Sequence, residues 1–371
     1  MPTARAVVLD KPFGTFSVSE YSEPDPAPGT VLLRMELSGC CATDAHTYLG
    51  QWKDVVFPAF LGHENVGTVA RTGPGGQRDY LGHELQPGDR VFARWGWCGQ
   101  CYECRTLQQP RRCRNRATGP PAAFSGGFAE YLYVDRPETT FMLKMSAAAS
   151  TVVLSEPLGV AVTAVRRAAP KLGETIVVQG CGAIGLLTLG VAKLAGATRA
   201  IVVGGPRERL EVARAFGADV VIDIDAVRDP HERTRAVLAE TLAGVGADLV
   251  FGCVGLAPAW LEGISYARDG GRFMELGLAS DTGDVTFNPS TQLVAKNISL
   301  MGTLGLENYQ DAITAARILE LCSGRLPFER LVSHQLPLDR VADAIQALNS
   351  DYKVDGRTAL KITIAPNGPV A

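Results

Sequence analysis

The sequence predicts an α/β protein of two domains: a doubly wound parallel sheet, and an irregular, mostly β domain that begins the chain. Three observations predict it. From about residue 160 to Gly302, β-prone runs alternate with helical ones, the pattern of strands that pair in parallel through helical crossovers. The earlier residues are instead rich in Gly and Pro, with short β-prone runs at 31–35, 65–71 and 89–93. Finally, 371 residues, 46% hydrophobic and 20% charged, is the length and composition of a globular chain with two domains.

Taken in order, "ETIVVQ" reads as a strand and "GCGAIGLLTLGVAKLAG" as a loop opening a helix. "RAIVVG" is a second strand, "RERLEVARAFG" a helix and "DVVIDI" a third strand. "DLVFGCVG", "GGRFMELG" and "NISLMGT" continue the series. Beyond Gly302 the pattern loosens, with helices expected over 309–323 and 338–349. The expected division is residues 1–156 with 305–371 in one domain and 157–304 in the other.

The net charge of -3 gives no bulk attraction to nucleic acid or to an anionic membrane. The start, "MPTARAVVLDKPFG", lacks a signal peptide's apolar run, and no apolar stretch is long enough to span a bilayer. A cytoplasmic location is expected. The nine cysteines are clustered: Cys98, Cys101, Cys104 and Cys113 share one short segment, and Cys40 and Cys41 are adjacent. In a reducing compartment such clustering favours metal over disulfides.

Gly180, Gly182 and Gly185 form G-x-G-x-x-G between a strand and a helix. The first permits a tight turn, the second lets the backbone approach a pyrophosphate, and the third lets helix and strand pack closely. The helix start at Ala183 and Ile184 then offers free N–H groups to phosphate. This is a dinucleotide site of Rossmann type. The following strand ends at Gly204, so no carboxylate stands there to hold a ribose 2′-hydroxyl or repel a 2′-phosphate. Arg207 and Arg209 are near enough in sequence to meet such a phosphate, or are solvated charges at a helix start; NAD and NADP both stay open.

"CGQCYECRTLQQPRRC" spaces four thiolates as C-x2-C-x2-C-x8-C. Four thiolates close a tetrahedron around zinc and leave no position free, which makes a structural site in a lobe of about 95–116. A zinc-ribbon nucleic-acid module is the competing reading. Arg105, Arg111, Arg112, Arg114 and Arg116 supply local charge for it, against a chain that is acidic overall.

Two copies of "LGHE", at 61–64 and 81–84, raise the question of which histidine is a metal ligand. The segments "GCCATDAHTYLG", "FPAFLGHENVGTV", "GGFAEY" at 126–131 and "EPL" at 156–158, with the cysteine lobe and the glycine loop, occur in an order that resembles one family. It is that of the zinc-containing medium-chain alcohol and polyol dehydrogenases, and the resemblance covers nearly the whole chain. It implies that the β domain is GroES-like and catalytic, with the active site at the carboxyl ends of the sheet's strands.

The resemblance also implies roles. Cys41 and His63 are catalytic zinc ligands, and His83 is a loop residue. Glu156, in its "SEPL" context, stands where the polyol branch has its third zinc contact and is the expected third ligand; Glu64 is the other carboxylate near the metal, and exchange between the two stays open. A zinc with three protein contacts keeps one position for an alcohol oxygen and lowers that oxygen's pKa before hydride leaves its carbon for nicotinamide. Thr43 resembles the family's hydroxyl relay and His46 its distal proton acceptor. Asp44 orients the His63 ring as a neighbouring carboxylate. In "DGRTALKI", Arg357 resembles an arginine that meets the cofactor pyrophosphate. Tyr48, Trp52, Phe57, Trp95 and Phe124 fall in segments that line the substrate cleft of relatives, where aromatic rings suit an apolar or cyclic alcohol.

The expected protein is thus a secondary-alcohol dehydrogenase with one catalytic and one structural Zn2+ per chain and NAD or NADP. It acts on a small-molecule alcohol or ketone and assembles as a homodimer or homotetramer by analogy with relatives. The alternatives are a zinc-free quinone or enoyl reductase on the same scaffold, which lacks the Cys41/His63 pair, and a non-catalytic zinc-ribbon protein.

Overall fold

The structure, a computed structural model, describes residues 2–52, 55–115 and 122–370; Arg116 lies outside them. The chain divides into two compact units, Met1–Glu156 with Asn308–Ser323 and Phe328–Ala371, and Pro157–Glu307 with Gly324–Pro327.

The second unit holds a six-stranded parallel sheet in the order Val220–Asp223, Arg199–Gly204, Thr175–Gln179, Ala247–Gly252, Ala267–Glu275, Ser299–Gly302. Counted along the chain, that is 3-2-1-4-5-6, the doubly wound order. The strand Thr175–Gln179 is buried at every position, as a central parallel strand covered on both faces must be. Val177, Ile201, Val250 and Phe273, one from each of four neighbouring strands, pack into one core with Ile264 and Tyr266 of the helix Ala257–Tyr266.

The sheet order reverses beside Thr175–Gln179, and the glycine loop leaves the carboxyl end of that strand. Gly180 sits at φ +102°, open to glycine at little cost, and a Cβ on Gly185 would lie 1.9 Å from the Gly180 carbonyl oxygen. Both are therefore dictated by the turn and by the close seating of the helix Ala183–Leu194.

The first unit is built on a seven-stranded sheet. Val332–Leu336 pairs in parallel with Lys361–Ile364, and antiparallel neighbours follow in the order Val31–Gly39, Glu64–Thr72, Arg90–Trp95 and Thr140–Lys144. Tyr131–Val134 adds to Val31–Gly39, and Thr3–Leu9 forms a separate hairpin with Phe16–Ser22. One core, with Val31, Leu33, Val69, Val91 and Met142, fills the sheet's interior. A second, with Cys40, Ala45, Ile345 and Ile362, seats the helices Ala42–Tyr48 and Val341–Leu348. Among the described residues no helix is long and apolar enough to cross a membrane.

Candidate active site

The site starts where Val31–Gly39 ends. Cys41 is the N-cap of the seven-residue helix Ala42–Tyr48, with an extended backbone (φ −114°, ψ 154°). Asp44, in the first turn, turns back: its Oδ2 accepts a hydrogen bond from the Cys41 backbone N–H at 2.9 Å. Its Oδ1 lies 3.4 Å from Nδ1 of His63. One buried carboxylate thus fixes both the loop that carries Cys41 and the orientation of the His63 ring. With Nδ1 turned to Asp44, Nε2 is the ring nitrogen left for a ligand.

The Cys41 thiol, a His63 ring nitrogen and a Glu64 carboxylate oxygen all lie within 4.8 Å of one another. A thiolate, an imidazole and a carboxylate are the donor set of a zinc with one position left open; bonds of about 2.0–2.3 Å to one tetrahedral ion would set such donors about 3.3–3.8 Å apart. Burial acts to lower the pKa of His63, but the Asp44 carboxylate and the Cys41 thiol raise it by more, so the free ring holds its proton more tightly than usual.

Glu64 is 1% exposed. Burial pushes its pKa up, Lys361 opposes this, and the Glu156 carboxylate nearby adds to the rise. The Lys361 ammonium donates to Oε1 at 2.5 Å, makes a still closer contact with Oε2, and donates to the Cys40 carbonyl at 2.9 Å. Removing one partner of such a pair leaves an uncompensated buried charge, which costs about 3–5 kcal/mol.

Glu156 does not join the converging three. Its carboxylate faces Arg94, 3.6 Å away, and that guanidinium lies over the Trp97 ring at 5.4 Å. Of the two carboxylates that the sequence left open, Glu64 is the one beside Cys41 and His63. Thr43 Oγ1 is 3.6 Å from the Cys41 sulfur. His46 follows one helical turn later, with Nδ1 at 2.6 Å from the Gln51 amide oxygen. The second "LGHE" is a surface loop: His83 is exposed and meets the buried Asp79 at 3.1 Å. Replacing Asp44 with Asn should weaken zinc binding at the Cys41 site by about 10–100-fold while the protein stays folded. Zinc titration with a competing chelator, alongside circular dichroism, measures both.

In the cysteine lobe all four sulfurs lie within 4.8 Å of one another, and the nine cysteines of the chain are free thiols. Cys98 and Cys113 stand 3.5 Å apart, Cys101 and Cys104 3.4 Å, and Cys101 and Cys113 3.8 Å. Two thiolates at about 2.3 Å from one tetrahedral zinc stand about 3.8 Å apart, so the cage fits the ion. Burial acts to raise the Cys98 pKa, but hydrogen bonds from the Gln100 and Cys101 backbone N–H groups and from the Cys113 and Cys101 thiols together bring it down to about 6.

At the glycine loop, Gly182 caps the helix Ala183–Leu194, whose first turn carries Ala183 and Ile184. A Cβ at Gly204 would lie 2.5 Å from the Cys181 sulfur, which explains why the second strand ends in glycine and not in an acid. The two arginines differ. Arg207 is exposed beside Glu211. Arg209 is 8% exposed, and its guanidinium comes 4.0 Å from the Cβ position of Gly182.

Comparison with known proteins agrees with this geometry. Residues 27–145 match the family described as Alcohol dehydrogenase GroES-like domain, and 183–320 the family described as Zinc-binding dehydrogenase. The 5-exo-hydroxycamphor dehydrogenase of Pseudomonas putida is 30% identical over 345 residues, 88% of this chain and 90% of that protein. The chain belongs to the zinc-containing medium-chain alcohol dehydrogenases. Similar folds include an alcohol dehydrogenase from Thermotoga maritima (TM-score 0.87, 28% identity, 99% of this chain and 100% of that one). A zinc-binding dehydrogenase from Sinorhizobium meliloti, bound to NADP, superposes with a TM-score of 0.83 at 27% identity over 99% of this chain and 100% of that one. The protein is a zinc- and NAD(P)-dependent oxidoreductase acting on an alcohol.

Within this dehydrogenase the expected aromatic lining is corrected at Phe124. Phe124 is 2% exposed and packs into a small core with Ala4, Ala6 and Ala129, edge-on to Tyr21 and Tyr131. Tyr48 stacks on Phe16 and packs against the core beneath its helix. The enclosed Phe124 ring gains more from burial against apolar neighbours than it would lining a wet cleft, whereas Tyr48 is half-buried. Trp52, Phe57 and Trp95 are half-buried. Arg357 is exposed on the short antiparallel pair Lys353–Val354 and Arg357–Thr358.

Sequence reasoning missed Lys361, Arg94 and Gly39 in this dehydrogenase. A lysine opening the otherwise apolar-faced strand "KITI" was the one available signal.

Proposed function

We propose that this dehydrogenase oxidises a secondary alcohol, cyclic or otherwise apolar, to a ketone, with hydride passing to NAD or NADP and one proton released. The convergence of Cys41, His63 and Glu64 is the observation that carries the reading. In this reading those three hold the catalytic zinc, Glu156 stands by as a second carboxylate paired to Arg94, and Cys98, Cys101, Cys104 and Cys113 hold the structural one. When bound, zinc supplies Lewis acidity to the substrate oxygen and the nicotinamide supplies the hydride acceptor.

The chain's own groups then do the following. Asp44 holds the His63 ring and the Cys41 backbone in place. Thr43 accepts the proton leaving the substrate hydroxyl, and His46 takes it onward. Gly180, Gly182 and Gly185 let the backbone approach the cofactor pyrophosphate, and Ala183 and Ile184 turn their N–H groups toward it. Gly204 ends the strand at the adenosine ribose without an acid, Arg209 is the nearby cation for a 2′-phosphate, and Arg357 meets the pyrophosphate. Tyr48, Trp52, Phe57 and Trp95 are the aromatic candidates for the pocket.

The cyclic and apolar character of the substrate is supported by the likeness to 5-exo-hydroxycamphor dehydrogenase, whose substrate carries its hydroxyl on a carbocycle. The nine free thiols accord with a cytoplasmic enzyme, and a homodimer or homotetramer is proposed from the family. A panel of cyclic, aromatic and polyol alcohols, each run with NAD and with NADP and followed by absorbance of the reduced cofactor, tests the reading. Higher kcat/KM for cyclic secondary alcohols is the expected result; a preference for primary alcohols or polyols overturns the substrate class.

A further inference from the structure

We propose that Lys361 is a positioning residue of the metal site: an internal cation that holds Glu64 beside Cys41 and His63 and competes with the metal for that carboxylate. The proposal rests on the reading that these three residues hold zinc.

The contact is built by sheet register. Gly39 lies opposite Glu64 on one side and pairs with Thr363 on the other, so the strands bearing Glu64 and Lys361 flank the same glycine. A Cβ at Gly39 would come within 1.8 Å of Glu64 Oε2 and 2.9 Å of Lys361 Cε. The backbone there is not in the left-handed region, so glycine is required for space alone. Through that gap the lysine reaches the carboxylate from a residue 297 positions away.

Lys361 is 5% exposed; its ammonium donates to Oε1 of Glu64 and to the Cys40 carbonyl, and lies in ion-pair contact with Oε2. Two of its donors are met by these groups, and its charge is balanced by the carboxylate it touches. It touches Glu64 directly and the peptide next to Cys41. A structural ion pair could sit anywhere in the sheet; this one is placed where a second, divalent cation is to bind the same carboxylate. Two cations sharing one carboxylate in a desolvated site repel each other. The lysine therefore keeps the metal-free site charge-balanced and holds the metal more loosely than thiolate, imidazole and carboxylate would by themselves.

Neutralising the lysine separates this role from simple packing. Zinc release to a chromophoric chelator is followed at pH 8 for the wild type, Lys361→Met and Lys361→Gln, with His63→Ala to assign the phase that belongs to the Cys41 site. The expected result is that this zinc is held about tenfold tighter or more in both lysine variants. Adding Glu64→Gln to either variant should remove the gain, because the competition runs through that carboxylate. Lys361→Gln keeps hydrogen-bond donors and serves if the Met variant does not fold. Affinity that is unchanged or lowered in the folded lysine variants overturns the proposal. Absence of any phase that His63→Ala removes instead overturns the metal-site reading on which it stands.

Discussion

Cys41→Ser and His63→Ala proteins should fold, bind nicotinamide cofactor and lose at least about a thousandfold in kcat/KM for any alcohol the wild type oxidises. The magnitude follows from what each variant removes. The thiolate and the imidazole are two of three donors converging within 4.8 Å. Without them the site cannot hold a zinc with an open position, and the several kcal/mol of charge stabilisation that a Lewis acid brings to an alcohol oxygen is lost. The fold should survive because Cys41 is a helix cap whose backbone is held by Asp44, and because His63 is 29% exposed rather than a core residue. Zinc per chain, cofactor fluorescence and steady-state rates on the same preparations check the three parts. Full turnover by a Cys41→Ser protein lacking its catalytic zinc would remove the metal from the mechanism.

The second large effect is on stability. Cys113→Ser should drop zinc content by one per chain and lower the Tm by about 10 °C, with kcat per folded molecule close to the wild type. The lobe between Cys98 and Cys113 has one short helix, Tyr102–Arg105, and a single turn at Pro110–Arg112. Tyr102 and Leu107 point into solvent, so little apolar burial organises it. Four thiolates at 3.4–3.8 Å spacings do so instead. Burial pushes the Cys104 thiol up, and its hydrogen bond with Cys101 adds to the rise, so without an ion this thiol favours its protonated form. Binding energy at such a site is folding energy, of a size that matters against the roughly 5–15 kcal/mol that holds a domain together. Differential scanning calorimetry of wild type and variant, with metal analysis, measures it. An unchanged Tm in a protein with one zinc fewer would show the lobe to be stable without its ion.

Much of the fold was legible because it is written in local pattern. The run "TIVVQGCGAIG" states a buried strand, a turn that only glycine makes easily and a helix start within eleven consecutive residues, and the structure contains each of them. The cysteine lobe was equally legible, since its four thiols fall within sixteen residues and reach one another without the rest of the chain. Cys41 and His63 were named through motif order, and the fold brings their ligand atoms together.

Other features were not legible. Glu64 and Glu156 have similar local credentials, a carboxylate beside a histidine and a carboxylate at a helix start; the facing of Glu156 toward Arg94 depends on where a strand and a helix meet. Phe124 looked like a cleft residue because relatives place its segment there, and its packing against Tyr21 and Tyr131 turns it inward instead.

By itself the sequence determined the two-domain α/β class, the dinucleotide loop and the thiol cage, because each rests on local pattern or short spacings; the thiol–imidazole pair came from the resemblance of its motifs to a family. Only the tertiary structure decided that Glu64 completes the converging donors, that Gly39 leaves a gap between two strands, and that a lysine 297 residues away fills it with charge. The physical reason is strand register. Pairing fixes which side chains share a face, and distant strands acquire their register from the burial and hydrogen bonding of the whole sheet, which no local window of residues contains.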